Sequence, residues 1–150
     1  GFNEFQAGLL WGIQVLATIL SKPLMGKVSD RYGRKPLITV GMLLCAVSFG
    51  SIPLLKDFYL LMLAAIVFGF GEAFVTSSSA ALVADICKEK HFGTAMGTFG
   101  TLFDIGHATG PIMAGFLIAK WDYLVSFWIM SGMLILAVPV FTMNVDISKK

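Results

Sequence analysis

Residues 26–35 read GKVSDRYGRK, and five of these ten residues carry a charge. In the whole chain only 13% of the residues are charged, whereas 57% are hydrophobic. A soluble domain has about a quarter of its residues charged. The stretch is therefore a polar connection inside an apolar chain, and the segments on either side of it decide the fold.

Long apolar runs flank this connection. A helix needs about 20 mostly apolar residues to cross roughly 30 Å of hydrocarbon. A membrane-spanning strand would be shorter, would alternate in polarity and would need a closed barrel. The sequence therefore predicts an all-α integral membrane protein with five transmembrane helices. We expect these helices at about residues 5–24, 36–54, 59–84, 94–119 and 124–145.

The basic residues between the predicted helices are divided unequally between the two sides. Nine of the 11 Lys and Arg residues fall on one side, which predicts that this side is cytoplasmic. Residues 25–35 and the C-terminus are then cytoplasmic, and a plasma or inner membrane is expected. A nucleic-acid surface is disfavoured because the cations are split among three segments without interleaved aromatic residues. The nine are Lys22, Lys27, Arg31, Arg34, Lys35, Lys88, Lys90, Lys149 and Lys150, against Lys56 and Lys120.

The charged stretch resembles the G-x-x-x-D-R-x-G-R-[RK] signature of the major facilitator superfamily. In that family the signature connects the second and third helices of a six-helix half, on the cytoplasmic side. The matching residues are Gly26, Asp30, Arg31, Gly33, Arg34 and Lys35.

A second resemblance lies in the fourth predicted helix. It is similar to the family's antiporter motif, g-x8-G-x3-G-P-x2-G-G, with Ala114 as the only departure. The matching residues are Gly97, Gly106, Gly110, Pro111 and Gly115. The two motifs together imply five of the six helices of one half. The odd number of helices, and Gly1 where a Met would begin a chain, lead us to expect a piece of a longer protein.

Other features of the sequence bear on whether the chain is the N-terminal or the C-terminal six-helix half. The third predicted helix lacks the Arg that the family often carries there, and the chain ends in Ser148-Lys149-Lys150 soon after the last helix. Both features favour the C-terminal half, helices 8–12. Against them, both motifs are best known from the N-terminal half.

Several residues of the charged stretch could form a network. Gly26 and Gly33 permit a tight reversal of the backbone. Asp30 and Arg34 can pair, and Asp85 is an acidic partner for Arg31 or Arg34. The resemblance implies that this network latches the cytoplasmic side during alternating access. The alternative is that the cations only set the topology.

Four polar residues fall near the middle of predicted helices: Gln14, Glu72, Asp104 and His107. Placing such groups in the hydrocarbon of a bilayer costs free energy, so their side chains should face protein or water. We favour a central cavity in which Glu72, Asp104 and His107 bind substrate or carry a proton. Asp104 and His107, three residues apart, can interact directly, and imidazole exchanges protons near neutral pH. The alternative is a buried polar clamp. Gln14 is expected to form a hydrogen bond between helices.

The glycines of the antiporter motif have a simpler expected role. The spacing of Gly106 and Gly110 permits close helix contact, and Pro111 is expected to kink the helix. The sequence allows two roles for this motif: tight helix packing alone, or a helix that also bends during transport. Cys45 and Cys87 are isolated, and their spacing indicates neither a disulfide nor a metal site.

Together the resemblance and the residues imply transport of a small solute, with proton-coupled efflux as the first choice. The partners expected are the solute, protons, the lipid bilayer and the other half of the transporter. No P-loop or set of catalytic residues occurs in the chain, so neither an enzyme nor a cofactor is expected. A family uptake symporter or uniporter, and a non-transporting membrane sensor, are the alternatives.

Overall fold

Five helices account for almost all of the fold. The computed structural model describes residues 3–145, so Gly1, Ser148, Lys149 and Lys150 lie outside the described residues. Each of the five helices is long and apolar enough to cross a membrane, which confirms the predicted all-α membrane fold. The helices are α1 Glu4–Tyr32, α2 Arg34–Ser51, α3 Phe58–Ile86, α4 Phe92–Lys120 and α5 Tyr123–Asn144, with short 3-10 turns at Ile52–Leu54 and Glu89–His91.

The charged stretch is mostly helix. α1 continues to Tyr32 instead of ending near residue 24, and Gly33 alone makes the reversal into α2. Its φ of 93° lies in a region that side chains disfavour, so glycine is required there. Gly26 lies inside α1, so the prediction that it helps to form the turn is wrong. The apolar run marks the membrane crossing, whereas polar residues such as Lys27 and Arg31 can continue the helix beyond it.

The other helix ends agree with the predicted ones within three residues, and the starts of α1, α3 and α5 have a local cause. Asn3, Asp57 and Asp122 precede α1, α3 and α5, and their side chains accept hydrogen bonds from backbone N–H groups of the first turn. These caps satisfy donors that a helix start leaves free.

α3 lies at the centre of the bundle, between α1 and α2. Glycines allow the backbones to approach: a Cβ on Gly69 would lie 2.6 Å from the carbonyl oxygen of Gln14 in α1. A Cβ on Gly41 of α2 would lie 2.7 Å from the carbonyl oxygen of Gly71. Small residues bring transmembrane helices together in this way, because packing and hydrogen bonds rather than the hydrophobic effect drive their association in lipid.

α5 packs on the other side of α2. The buried hydroxyl of Ser131 donates a hydrogen bond of 2.7 Å to the carbonyl oxygen of Ala46. The ring of Phe49 stacks on Phe127, with 5.1 Å between the centroids. α4 is packed loosely against α3 and α5, and every residue from 101 to 110 is exposed. The compact part of the bundle is therefore α1, α2, α3 and α5.

We expect Gly41→Ala to destabilise the protein. The added methyl group would meet backbone of α3, which cannot move as a side chain can, and overpacking costs about 1–3 kcal/mol. Gly132→Ala in α5 is the matched control, since no described atom lies within 4 Å of its Cβ position. The melting temperature in detergent should fall for Gly41→Ala and stay equal or rise for Gly132→Ala; equal melting of the two variants would contradict the close contact.

Candidate functional site

Arg34 joins the ends of three helices. Its Nε donates a hydrogen bond of 2.9 Å to Oδ2 of Asp85, at the end of α3, and its Nη1 forms an ion pair with Asp30, at the end of α1. The Arg34 side chain is 17% exposed, against 66% for Asp30 and 53% for Asp85. Both predicted ion pairs are therefore present, and Arg34 is the more buried member of each.

The other cations of the charged stretch are not part of this network. The guanidinium of Arg31 lies over the ring of Tyr32, 5.8 Å from its centroid. Among the described residues neither Arg31 nor Lys35 forms an ion pair. Of the two partners that the sequence allowed for Asp85, the structure selects Arg34.

An open cavity of about 1320 Å³ lies between the helices, and all five contribute to its wall. Most of the wall is apolar. The polar side chains in it are few and come mainly from α1 and α3, with one imidazole from α4. They are Gln14, Glu72, Thr76, Ser79 and His107. Glu72, Thr76 and Ser79 are spaced i, i+4 and i+7 on α3, and the face that they share lines the cavity.

Glu72 is tied to α1 by two contacts. Its Oε2 accepts a hydrogen bond from the amide of Gln14, as was predicted for Gln14 as a bond between helices. The hydroxyl of Thr18 lies 3.0 Å from the same oxygen, and Thr18 is only 5% exposed. These contacts lie beside Gly69, where the backbones of α1 and α3 approach closely. The carboxylate is thus held in a defined position at the cavity wall.

The predicted pair of Asp104 and His107 does not form. The ring of His107 packs edge-on against Phe103, with 4.5 Å between the centroids, and lines the cavity. Asp104 is exposed outside the cavity and makes no hydrogen bond or ion pair with the described residues. The direct contact between Asp104 and His107 is therefore absent from the described residues, and the imidazole packs on Phe103 instead.

The four glycines of the antiporter motif have open space beside them. No described atom lies within 4 Å of a Cβ built on Gly97, Gly106, Gly110 or Gly115. Pro111 lies within the continuous helix α4. The close contact predicted for Gly106 and Gly110 is absent from the described residues, because α4 is exposed along residues 101–110 and no other described helix reaches these two glycines.

Four residues important for the site were not identified from the sequence. Thr18 contacts Glu72, and Gly41, Gly69 and Gly71 allow the close packing beside it. The available signals were the Gly-x-Gly directly before Glu72 and the i, i+4 spacing of Gln14 and Thr18.

Five helices long enough to span a membrane, around an open and mostly apolar cavity, define a polytopic membrane protein. The sequence matches the profile of the Major Facilitator Superfamily over residues 1–149, and the chain therefore belongs to this superfamily. Membership groups the chain with transporters rather than with enzymes.

Curated relatives agree with this assignment. The multi-drug resistance efflux pump PmrA of Streptococcus pneumoniae is 29% identical over 133 residues, which cover 89% of this chain and 33% of that protein. The multidrug resistance protein B homolog of Mycobacterium tuberculosis is 32% identical over 93% of this chain and 27% of its own length. An uncharacterized MFS-type transporter of Methanocaldococcus jannaschii, MJ1560, is 26% identical over 97% of this chain and 38% of its own length. The chain thus spans about a third of the length of these relatives.

We expect Thr18→Val to lower stability. The substitution keeps the shape but leaves Oε2 of Glu72 and the α3 backbone without the hydroxyl, and a hydrogen bond to a charged group contributes about 1.5–3 kcal/mol. Thr39→Val is the matched control, because the Thr39 hydroxyl bonds only to the Lys35 carbonyl of its own helix. Thermal melting in detergent should fall for Thr18→Val well below the control; equal melting would show that the contact contributes nothing.

Proposed function

We propose that this chain supplies five of the six helices of one half of a transporter that moves a small solute by alternating access. The observation that carries the proposal is the open cavity, to which all five helices contribute. Such a cavity is typical of transporters in which two halves rock about a midplane site. The length of the relatives, about three times that of this chain, leaves room for a second half.

The proposed solute is a small organic molecule, and the proposed direction is efflux. Two of the relatives are named as multidrug resistance proteins, and the largely apolar cavity suits an organic ligand. We propose that protons drive this movement and that a plasma or inner membrane houses the protein. The lack of any Arg or Lys in α3 supports placement in the C-terminal half.

We further propose that the Asp30–Arg34–Asp85 network is a latch on the cytoplasmic side. Arg34 links the junction of α1 and α2 to the end of α3, and its low exposure limits the screening that weakens surface ion pairs. Breaking its two pairs would free α3 from α1 and α2 at that side and so favour opening there.

Arg34→Gln should increase access to the cavity from the side of the latch. Ser79→Cys supplies a thiol that reports access to the cavity, since Ser79 lines the cavity. The native cysteines, Cys45 and Cys87, are replaced first so that only the reporter reacts. A membrane-impermeant thiol reagent, applied from that side to the full-length protein in vesicles, should modify the reporter severalfold faster in Arg34→Gln. Arg31→Gln is the control, because it removes the same charge from a residue without an ion pair. Equal rates in both variants would reject the latch.

His107 is the residue that we propose to carry the proton. It is an imidazole on the cavity wall without a hydrogen bond to the described residues, and the two nitrogens of an imidazole can accept and donate a proton. Asp104, which lies outside the cavity, is a weaker candidate.

His107→Ala should uncouple transport from the proton gradient. In proteoliposomes of the full-length protein, a pH gradient should drive accumulation of at least one dye from a panel of cationic, neutral and anionic organic dyes. His107→Ala should lose this accumulation but keep dye exchange at equal pH. His91→Ala is the control, since His91 lies in the exposed turn before α4. Full accumulation by His107→Ala would exclude the proton role, and no dye movement by the wild type would exclude transport.

A further inference from the structure

A groove separate from the central cavity lies between α1 and α3. Its volume is about 520 Å³, and it shares no lining residue with the cavity. α1 supplies most of its wall, from Ile13 to Leu24, and α3 adds Ile66 and Phe70. The wall is apolar except for Ser21, whose hydroxyl donates a hydrogen bond to a carbonyl of its own helix. A ligand in this α1–α3 groove therefore meets hydrocarbon only.

The groove has the length of one leaflet of a bilayer. Ile13 and Leu24 are 11 residues apart in α1, which is about 16 Å along a helix, and half of the hydrocarbon thickness is about 15 Å. Ile13 lies near the middle of the apolar run that begins at Phe5, and Leu24 lies at its end. Leu20 is 71% exposed and Leu24 is 60% exposed, so the groove opens outwards. Its dimensions fit one acyl chain that reaches from a headgroup to the bilayer centre.

Two cations continue the line of the groove beyond its end. At 3.6 residues per turn, Lys27 and Arg31 lie within about 40° of Ile13 around the axis of α1, whereas Lys22 lies on the opposite side. Lys27 is about 4.5 Å beyond Leu24 along this axis. The headgroup region is roughly 5–8 Å thick on each side of the hydrocarbon. Lys27 is therefore at the depth of a lipid headgroup, and Arg31 follows one turn later.

Lys27 and Arg31 have no acidic partner in the part of the chain that the structure describes. Both are exposed, and neither forms an ion pair or a hydrogen bond with the described residues. Two like charges four residues apart on a helix repel each other. A phosphate between them would offset this repulsion, and the planar guanidinium of Arg matches two phosphate oxygens. The pair is therefore suited to an anion at the end of an apolar groove.

We propose that the α1–α3 groove binds an anionic phospholipid, with one acyl chain in the groove and the phosphate between Lys27 and Arg31. A zwitterionic lipid would bring an ammonium group to the two cations, so a headgroup with a net negative charge is preferred. The proposal does not depend on transport. Neither Lys27 nor Arg31 belongs to the Asp30–Arg34–Asp85 network, so loss of the lipid leaves those ion pairs in place.

Native mass spectrometry of the full-length protein, delipidated in detergent, measures the preference for the headgroup. Dioleoyl phosphatidylglycerol and dioleoyl phosphatidylcholine are titrated separately, because they differ in headgroup charge but not in their acyl chains. The wild type should bind the first phosphatidylglycerol at least about tenfold more tightly than phosphatidylcholine. Lys27→Gln/Arg31→Gln should weaken phosphatidylglycerol binding about tenfold, which corresponds to about 1.4 kcal/mol.

Two further variants control for net charge and for folding. Lys22→Gln/Lys35→Gln also removes two positive charges, one from the opposite side of α1 and one from the start of α2, and should bind like the wild type. Lys27→Arg keeps the charge and should retain the affinity. Because Lys27 and Arg31 are exposed, replacing both should leave the melting temperature unchanged.

Photolabelling tests the position of the acyl chain. A phosphatidylglycerol with a diazirine at the end of one acyl chain is added to phosphatidylcholine vesicles that contain the full-length protein. It should label the segments around Ile13 and Ile66, and this labelling should fall severalfold in Lys27→Gln/Arg31→Gln. A second groove, between α2 and α3 and lined by Leu63, is the internal control, and its labelling should not change.

The proposal is overturned if the wild type binds the two lipids equally or if Lys27→Gln/Arg31→Gln retains full affinity for phosphatidylglycerol. An equal loss of affinity in Lys22→Gln/Lys35→Gln would show a general effect of net charge and would also overturn it. So would a label that misses the α1–α3 groove, as expected if another helix of the full-length protein covers it.

Discussion

The close approach of α1 and α2 to α3 is the contact on which the rest of the structure depends. Lipid chains are as apolar as leucine, so a membrane gives helices little hydrophobic reason to associate. Backbone contact at Gly69 and between Gly41 and Gly71 supplies the packing instead. Glu72 follows Gly71 directly, and the contacts from α1 place its carboxylate at the cavity wall. Packing and site therefore share the same turn of α3.

α3 also carries Asp85, one of the two acidic partners of Arg34. Asp85 lies on the same helix as Glu72, more than three turns away, and pairs with Arg34. A continuous helix is stiff, so a displacement of α3 at one site moves the other. A displacement of α3 at the cavity would therefore also displace Asp85 at the proposed latch, without direct contact between the two sites.

α4 is the exception to this tight packing. It contributes Phe103 and His107 to the cavity, yet its residues 101–110 are exposed, including Asp104, whose carboxylate pairs with none of the described residues. A charged group in the hydrocarbon is costly and normally faces protein or water. The resemblance identified this helix by its glycines, but the residues that connect it to the site are the aromatic and imidazole side chains between them.

The sequence by itself determined the five spans and indicated the pairing of Asp30 with Arg34, but it left Asp85 with either Arg31 or Arg34. Apolar run length is a local property that the bilayer thickness selects, and Asp30 and Arg34 are neighbours one helical turn apart. The sequence could not show where α1 ends, because both polar and apolar residues continue a helix. Only the tertiary structure decided that Glu72 meets Thr18, and that His107 faces the cavity while Asp104 does not. Those outcomes depend on how each helix is rotated against its neighbours, and that rotation is set by contacts between residues far apart in the chain.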